Sequence, residues 1–209
     1  MKFKTMVLSL ALMGFLFTSC NDDKKKEEEA AKQEQMKMDQ ENEAMMKAEE
    51  EAKMKQAEFE NNTIAIMAMN NANYSTLFTA LKTAELADTF MEEGEYTVFA
   101  PTNEAFSKVP KATMDNLMKP ENKEKLQNLL KYHVVSGEWN AEAVMKAIKE
   151  NNNAYQVTTL EGEKLTLSIK GDKVMVKDAK GNMATVADAD MDASNGIIHG
   201  IDKVLMPKG

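Results

Sequence analysis

Few residues in this chain could do chemistry: two histidines, one cysteine, a short acidic cluster and a run of methionines. His133 falls at i+7 from Leu126, after Leu129 and Leu130, which puts it on the apolar face of a helix starting near Pro120. A histidine there donates to a buried carbonyl, with Tyr132 packed beside it. His199 lies between Ile198 and Ile201, and the nearest acid, Asp202, is three residues along a strand and so on the opposite face. Asp188, Asp190 and Asp192 form D-x-D-x-D, but an EF-hand loop needs glycine at its sixth position and glutamate at its twelfth, where this chain has Ala193 and His199. A solvated acidic turn before the final strand is the expectation. Neither a G-x-S-x-G elbow nor an H-E-x-x-H zinc motif occurs. Met36, Met38, Met45, Met46 and Met54 have no His or Cys beside them, and methionine is a good helix former, so they read as helix and not as a copper site. The expectation is no enzyme, no metal and no cofactor.

Cys20 is the only cysteine, so no disulfide within the chain is available. It ends "MKFKTMVLSLALMGFLFTSC", in which Lys2 and Lys4 precede an apolar stretch from Met6 to Phe17. That stretch has the length of a secretory signal and is short for a membrane span. Leu16 to Cys20 resembles the lipobox of bacterial lipoproteins, with Phe17 departing from the usual Leu, Val or Ile. The resemblance implies removal of residues 1–19 and acylation of Cys20, which would tether the protein to a membrane; several acyl chains anchor firmly where one holds marginally.

The elements that must carry these residues follow from composition and period. Net charge is −8, shared unevenly: residues 1–20 hold two Lys and no acid, 21–60 hold 8 Lys and 14 acids, and 61–209 hold 16 Lys and 20 acids. There is no arginine. Without bidentate guanidinium contacts and with overall acidity, nucleic acid is an unsuitable partner. Residues 20–60 form a separate segment that, beyond Cys20, has no Gly, Pro or β-branched residue and carries Glu-to-Lys pairs at 28/32, 43/47, 49/53 and 51/55, which predicts a charged stalk, helical or disordered, with helix favoured. Ala31, Met38, Met45, Ala52 and Phe59 recur every seven residues, but the companion positions are too polar for a coiled-coil seam, so a single solvated helix is expected.

From residue 61 to 209 the pattern is that of one packed domain. Ile64, Met67 and Ala68, then Tyr74, Leu77, Phe78, Leu81 and Leu86, fit short amphipathic helices. In "YTVFAPTNEAFSKVP" a strand meets Pro101, and Thr102 or Asn103 can cap the helix that follows. Asn140 can cap a helix bearing Val144 and Ile148. The period then becomes two, with "EGE", "KGD" and "AKGN" turns between runs from Val157 to Val176, and the chain closes with a strand from Gly196 through Leu205. Helices first and strands later, with one early strand, indicate α+β.

"TVFAPTNEAF" at 97–106, "YHVVSG" at 132–137 and "NGIIHGIDKVLMP" at 195–207, in this order and separation, resemble the fasciclin domain. The resemblance implies two small β-sheets in a wedge flanked by helices, with the first and last motifs in central strands. Thr102, Asn103, Asn195, Gly196, His199 and Asp202 fall in those motifs, and Tyr132 and His133 fall where the family keeps a Tyr-His pair discussed in adhesion. Gly200 replaces a larger apolar residue, leaving a gap or admitting a neighbouring backbone. Such domains are binding or structural modules, so the expected partner is an envelope or extracellular protein or polysaccharide held by a monomeric domain. The expected location is the bacterial cell envelope, as an outer-membrane lipoprotein facing the surface or the periplasm; the alternative role is a periplasmic spacer or assembly factor. Replacing Cys20→Ala is expected to move the protein to the soluble fraction on cell fractionation, and unchanged membrane retention would refute lipidation.

Overall fold

The computed structural model describes residues 21–208, with side chains from residue 32 onward, so the leader and Cys20 lie outside the described residues. The described residues open with α1 (Asn21–Asn61), 41 residues and about 60 Å of helix. Its side chains from 32 to 58 are exposed, and Lys47 closes on Glu43 at 2.8 Å, one of the pairs expected from sequence. No helix among the described residues is long and apolar enough to cross a membrane. Contacts divide the chain after Ala52.

The second unit is built from α2 (Ile64–Asn70), α3 (Ser75–Thr83), β1 (Tyr96–Pro101), α4 (Asn103–Ser107), α5 (Lys111–Leu117), α6 (Lys123–Tyr132), β2 (Val134–Ser136) and α7 (Ala141–Glu150). Five strands complete it: β3 (Tyr155–Thr158), β4 (Lys164–Lys170), β5 (Lys173–Lys177), β6 (Met183–Ala193) and β7 (Gly196–Ile201). The strand order is β2-β1-β7-β6-β5-β4-β3. The long strand β6 belongs to both small sheets: residues 183–185 pair with β5 and residues 186–193 with β7. A bridge from Val135 to Thr159 and the bond from Leu160 N–H to the Val134 carbonyl bring the far ends, β2 and β3, together.

Strands β1 and β7 are the spine. They pair in parallel from Tyr96–Gly196 to Pro101–Ile201, and nearly every residue in both is buried. Burial on both faces is the usual setting for parallel strands. On one face Val98, Ala100 and Ile198 meet helical residues including Leu77, Leu81, Phe106 and Leu129. On the other, Phe99 and Ile201 meet Ile148, Leu165, Leu167, Val176 and Leu205. Gly196, at φ 149°, sits where a Cβ would overlap the Tyr96 carbonyl, so only glycine lets β1 approach.

The structure departs from the sequence reading in four places. Residues 186–193, expected as a turn, are strand with bulges on either side of Asp188, and Asp190 takes a left-handed φ of 55°. The alternation of Asp188, Asp190 and Asp192 with Ala187, Ala189, Met191 and Ala193 is the period of a strand, and the bulges interrupt only its pairing with β7. Helix α6 starts at Lys123, after a 3₁₀ turn at Pro120–Asn122, and stops at Tyr132; His133 is its C-cap, and "VVS" is strand β2. The closing strand stops at Ile201, because Asp202 turns away to bond the Thr185 backbone in both directions. Asn103 caps α3 in place of its own helix, a contact across 27 residues. Gly196→Ala is expected to cost about 2 kcal/mol or more of unfolding free energy, since the backbone of β1 cannot yield. Urea denaturation checks this, and an unchanged midpoint would show that the β1–β7 approach is not tight.

Candidate functional site

Both histidines are buried, and every ring nitrogen is engaged. Leu205 N–H donates to His133 Nε2 at 2.9 Å, so that nitrogen is the bare one and Nδ1–H donates to the Leu129 carbonyl at 2.7 Å. The ring thereby ties the end of α6 to the chain after β7. His199 holds the opposite tautomer: Asp190 N–H donates to Nδ1 at 3.3 Å, and Nε2–H donates to the Trp139 carbonyl at 2.7 Å. That ring ties β7 to the β6 bulge and to the loop before α7. Burial lowers the pKa of His133 from 6.5 to about 4, more than its bond to Leu129 and the nearby Asp178 charge raise it.

Tyr132 is fully buried, and its hydroxyl accepts from Ala179 N–H at 2.8 Å. Burial, above all, pushes its pKa up to about 12. The Tyr132 and His133 rings meet edge to face at 6.4 Å, inside the fold. Asn195 is buried as well: Oδ1 accepts from Ile64 N–H, and Nδ2 donates to the Phe90 and Glu92 carbonyls, each at 2.9 Å. It thus caps α2 from 131 residues away, while Thr63, the residue before that helix, caps nothing with its side chain. Thr102 Oγ1 accepts from Ala105 N–H at 3.2 Å. Asn103 accepts from Thr76 N–H at 2.9 Å and donates to the Ala72 carbonyl at 2.7 Å. Asp202 Oδ1 accepts from Thr185 N–H at 2.6 Å and has no bond to His199. Gly200 admits a side chain and not a backbone: a Cβ there would overlap the Tyr74 hydroxyl.

Four buried polar residues lay outside the sequence reading; one of them, Thr63, has a hydroxyl with no hydrogen-bond partner among the described residues. Thr97 donates to the Gly137 carbonyl and accepts from Trp139 N–H. Asp178, before the "AKGN" turn, accepts from Asn182 N–H and Nδ2 and from Met206 N–H. Thr159 donates to the Glu163 carbonyl at 2.9 Å. In sequence Thr97 and Asp178 look like ordinary strand and turn residues, and their distant partners Gly137, Trp139 and Met206 distinguish them.

At the surface, Asp188, Asp190 and Asp192 are exposed on β6. Asp190 Oδ1 takes Ala141 N–H at 2.7 Å, adding a cap to α7 beside the Asn140 cap on Ala143 N–H at 2.8 Å. Among the described residues no group of three or more His, Cys, Asp and Glu is placed to hold a metal ion. A cleft of about 260 Å³ opens between α7 and the diverging strands β5 and β6; Met145, Val174 and Val186 line it, with Phe99 and His199 at its floor. The His199 ring has no free nitrogen to offer there. The arrangement can bury and orient, and it presents no paired acid and base.

His133 fixes a pH dependence. The folded ring titrates near 4 and the free residue near 6.5, so as pH falls the unfolded chain takes up the proton first. The stabilisation is complete above 6.5 and is lost progressively towards 4. Unfolding free energy is expected to drop by about 2 kcal/mol from this group between pH 7 and pH 5. His133→Gln is expected to abolish that drop, and a wild-type stability that stays flat over this range would refute the assignment.

The fasciclin domain profile matches residues 72–207. Protein sll1483 of Synechocystis is 46% identical over 145 residues, covering 69% of this chain and 73% of its own. The cell surface glycolipoprotein MPB83 of Mycobacterium bovis is 35% identical over 156 residues, 72% of this chain and 63% of its own. The transforming growth factor-beta-induced protein ig-h3 of Sus scrofa is 37% identical over 150 residues, but the chain spans only 19% of it. Among solved structures, the FAS1 domain pair of the insect cell adhesion molecule Fasciclin I aligns with a TM-score of 0.63 at 16% identity, over 70% of this chain and 51% of that one, which shows the shared fold. With its parallel β1–β7 spine, its shared strand β6 and these relatives, the chain belongs to the fasciclin domain family.

Proposed function

We propose that this protein is a lipid-anchored module of the bacterial cell envelope that holds a protein or polysaccharide partner by surface contact, without catalysis. The observation that carries the reading is the engagement of all four imidazole nitrogens with backbone groups, beside a Tyr132 that is fully buried. No imidazole is left to accept or deliver a proton, so what the domain offers a partner is its exterior. The Tyr-His pair acts through the fold, by joining α6 to Ala179 and Leu205.

The lipobox-like sequence ending at Cys20 supports the anchor, as does the name of the cell surface glycolipoprotein relative. The 40 residues that follow Cys20 are charged, and those with described side chains are exposed up to Glu58, as suits a segment between a membrane and a binding domain. The same exposed helix favours a second reading, a spacer or assembly factor within the periplasm. "NDD" directly after Cys20 resembles the surface-export signals of some Gram-negative lipoproteins and is followed by an opposing "KKK", a balance that favours the exterior only weakly. Protease shaving of intact cells, followed by pull-down with the released domain, separates the two. Release of the domain together with a captured protein or glycan supports the surface module; full protection of the chain in intact cells, with release only after the outer membrane is opened, supports the periplasmic role.

A further inference from the structure

The outer face of the β3–β4–β5 sheet is cationic, in a chain whose net charge is −8. Along β4 the buried residues Leu165 and Leu167 alternate with Lys164, Thr166, Ser168 and Lys170, and β5 turns Val176 inward and Lys173 and Lys177 outward. The register sets these side chains in rows: Gln156 beside Thr166 beside Lys177, Thr158 beside Lys164, Ser168 beside Met175, and Lys170 beside Lys173. No carboxylate stands in any of these rows. Lys170 and Lys173 face each other directly, a like-charge pair that destabilises a sheet unless something neutralises it. From Lys164 to Lys170 the strip runs about 20 Å.

At one end the strip deepens into an open trough of about 630 Å³, floored by Gln156, Lys164, Thr166 and Lys177 and walled by Lys180 and Lys208. Two carboxylates also line it, and both are already engaged. Glu163 accepts Lys208 N–H at 3.1 and 3.3 Å, and Asp178 is buried and accepts three N–H groups. Among the described residues none of Lys164, Lys170, Lys173, Lys177, Lys180 or Lys208 has an ion-pair partner. Salt shortens the reach of charge to about 10 Å, so this face is governed by its six lysines and by the carboxylates beside them, Glu163, Asp178 and the exposed Asp172 of the β4–β5 turn, over which the lysines are in excess.

The geometry points to this strip and trough as a docking face for an acidic polysaccharide, a linear glycan bearing carboxylates. This rests on the surface-contact reading above and names its partner class. Hydroxyl and amide groups of Gln156, Thr158, Thr166 and Ser168 stand between the lysines, offering donors and acceptors to sugar hydroxyls while the ammonium groups meet the carboxylates. The rows hold no aromatic ring for base stacking, and their one apolar side chain, Met175, is half-buried, so neither single-stranded nucleic acid nor a bilayer is matched.

The test is affinity electrophoresis and calorimetry of the detergent-solubilised full chain with polygalacturonate, against neutral dextran, polyglutamate and anionic phosphatidylglycerol vesicles. Polygalacturonate is expected to bind, and to bind roughly tenfold more weakly when salt rises from about 50 to about 300 mM. Replacing Lys164, Lys170, Lys173 and Lys177 together by Gln is expected to weaken binding at least about tenfold without lowering the thermal midpoint, since the facing Lys170–Lys173 pair is relieved. Lys111→Gln, Lys125→Gln and Lys146→Gln, exposed on helices, are expected to leave it unchanged. Absence of binding, equal loss in the helix variant, or tighter binding to polyglutamate or to vesicles overturns the proposal. If the fourfold variant still captures the cellular partner in the shaving experiment, this docking face falls while the surface-contact reading stands. If polygalacturonate binding behaves as expected but the wild-type domain captures nothing from cells, the functional reading falls and the face remains an anion site.

Discussion

The fold depends on a parallel strand pair buried on both faces, formed by segments a hundred residues apart. Tyr96–Pro101 and Gly196–Ile201 lie side by side through the middle of the molecule, with helices on one flank and the meander on the other. No short turn can join parallel neighbours, so residues 102–195, from α4 to β6, form the crossover between them, while α2 and α3 precede β1. The close approach at Gly196 sets the register of the pair.

Burial presses the polar groups near this pair to bond with other protein groups, since an unpaired buried donor or acceptor costs about 1–3 kcal/mol, and among the described side chains the Thr63 hydroxyl is the exception. Asn195 spends its whole amide on the ends of three segments, Thr97 bridges to the Gly137–Trp139 loop, and Asp178 gathers the turn before β6 with the tail after β7. The two histidines belong to the same set. They hold complementary neutral tautomers, each fixed by one backbone donor and one backbone acceptor. Imidazole suits this work because it supplies a donor and an acceptor on opposite sides of one rigid ring. The side chains that most resemble catalytic groups are therefore consumed in construction, and the domain meets other molecules through its outer faces.

Those faces differ in charge. The β6 bulge carries exposed aspartates, one of which caps α7, whereas the meander carries lysines in register without carboxylates between them. Sheet pairing makes such segregation possible, because residues far apart along the chain become immediate neighbours across strands.

Much of this was legible in the residues. Composition specifies a long charged helix between Asn21 and Asn61, because the Ala, Glu, Lys, Gln and Met that make up most of it favour that state locally. Period-two runs mark β3, β4 and β5, and the three collinear motifs identify the family. Local signals also give the caps made by Thr102 and Asn140, whose partners lie three residues ahead. Tertiary structure alone decided what depends on partners distant in sequence. It set Asn103 as the cap of α3, Asn195 as the cap of α2, His133 as the end of a helix and not its face, and the acidic cluster as bulged strand. The division has a physical cause: propensity and periodicity are properties of neighbouring residues, whereas the satisfaction of a buried polar atom is settled only when the chain has closed around it.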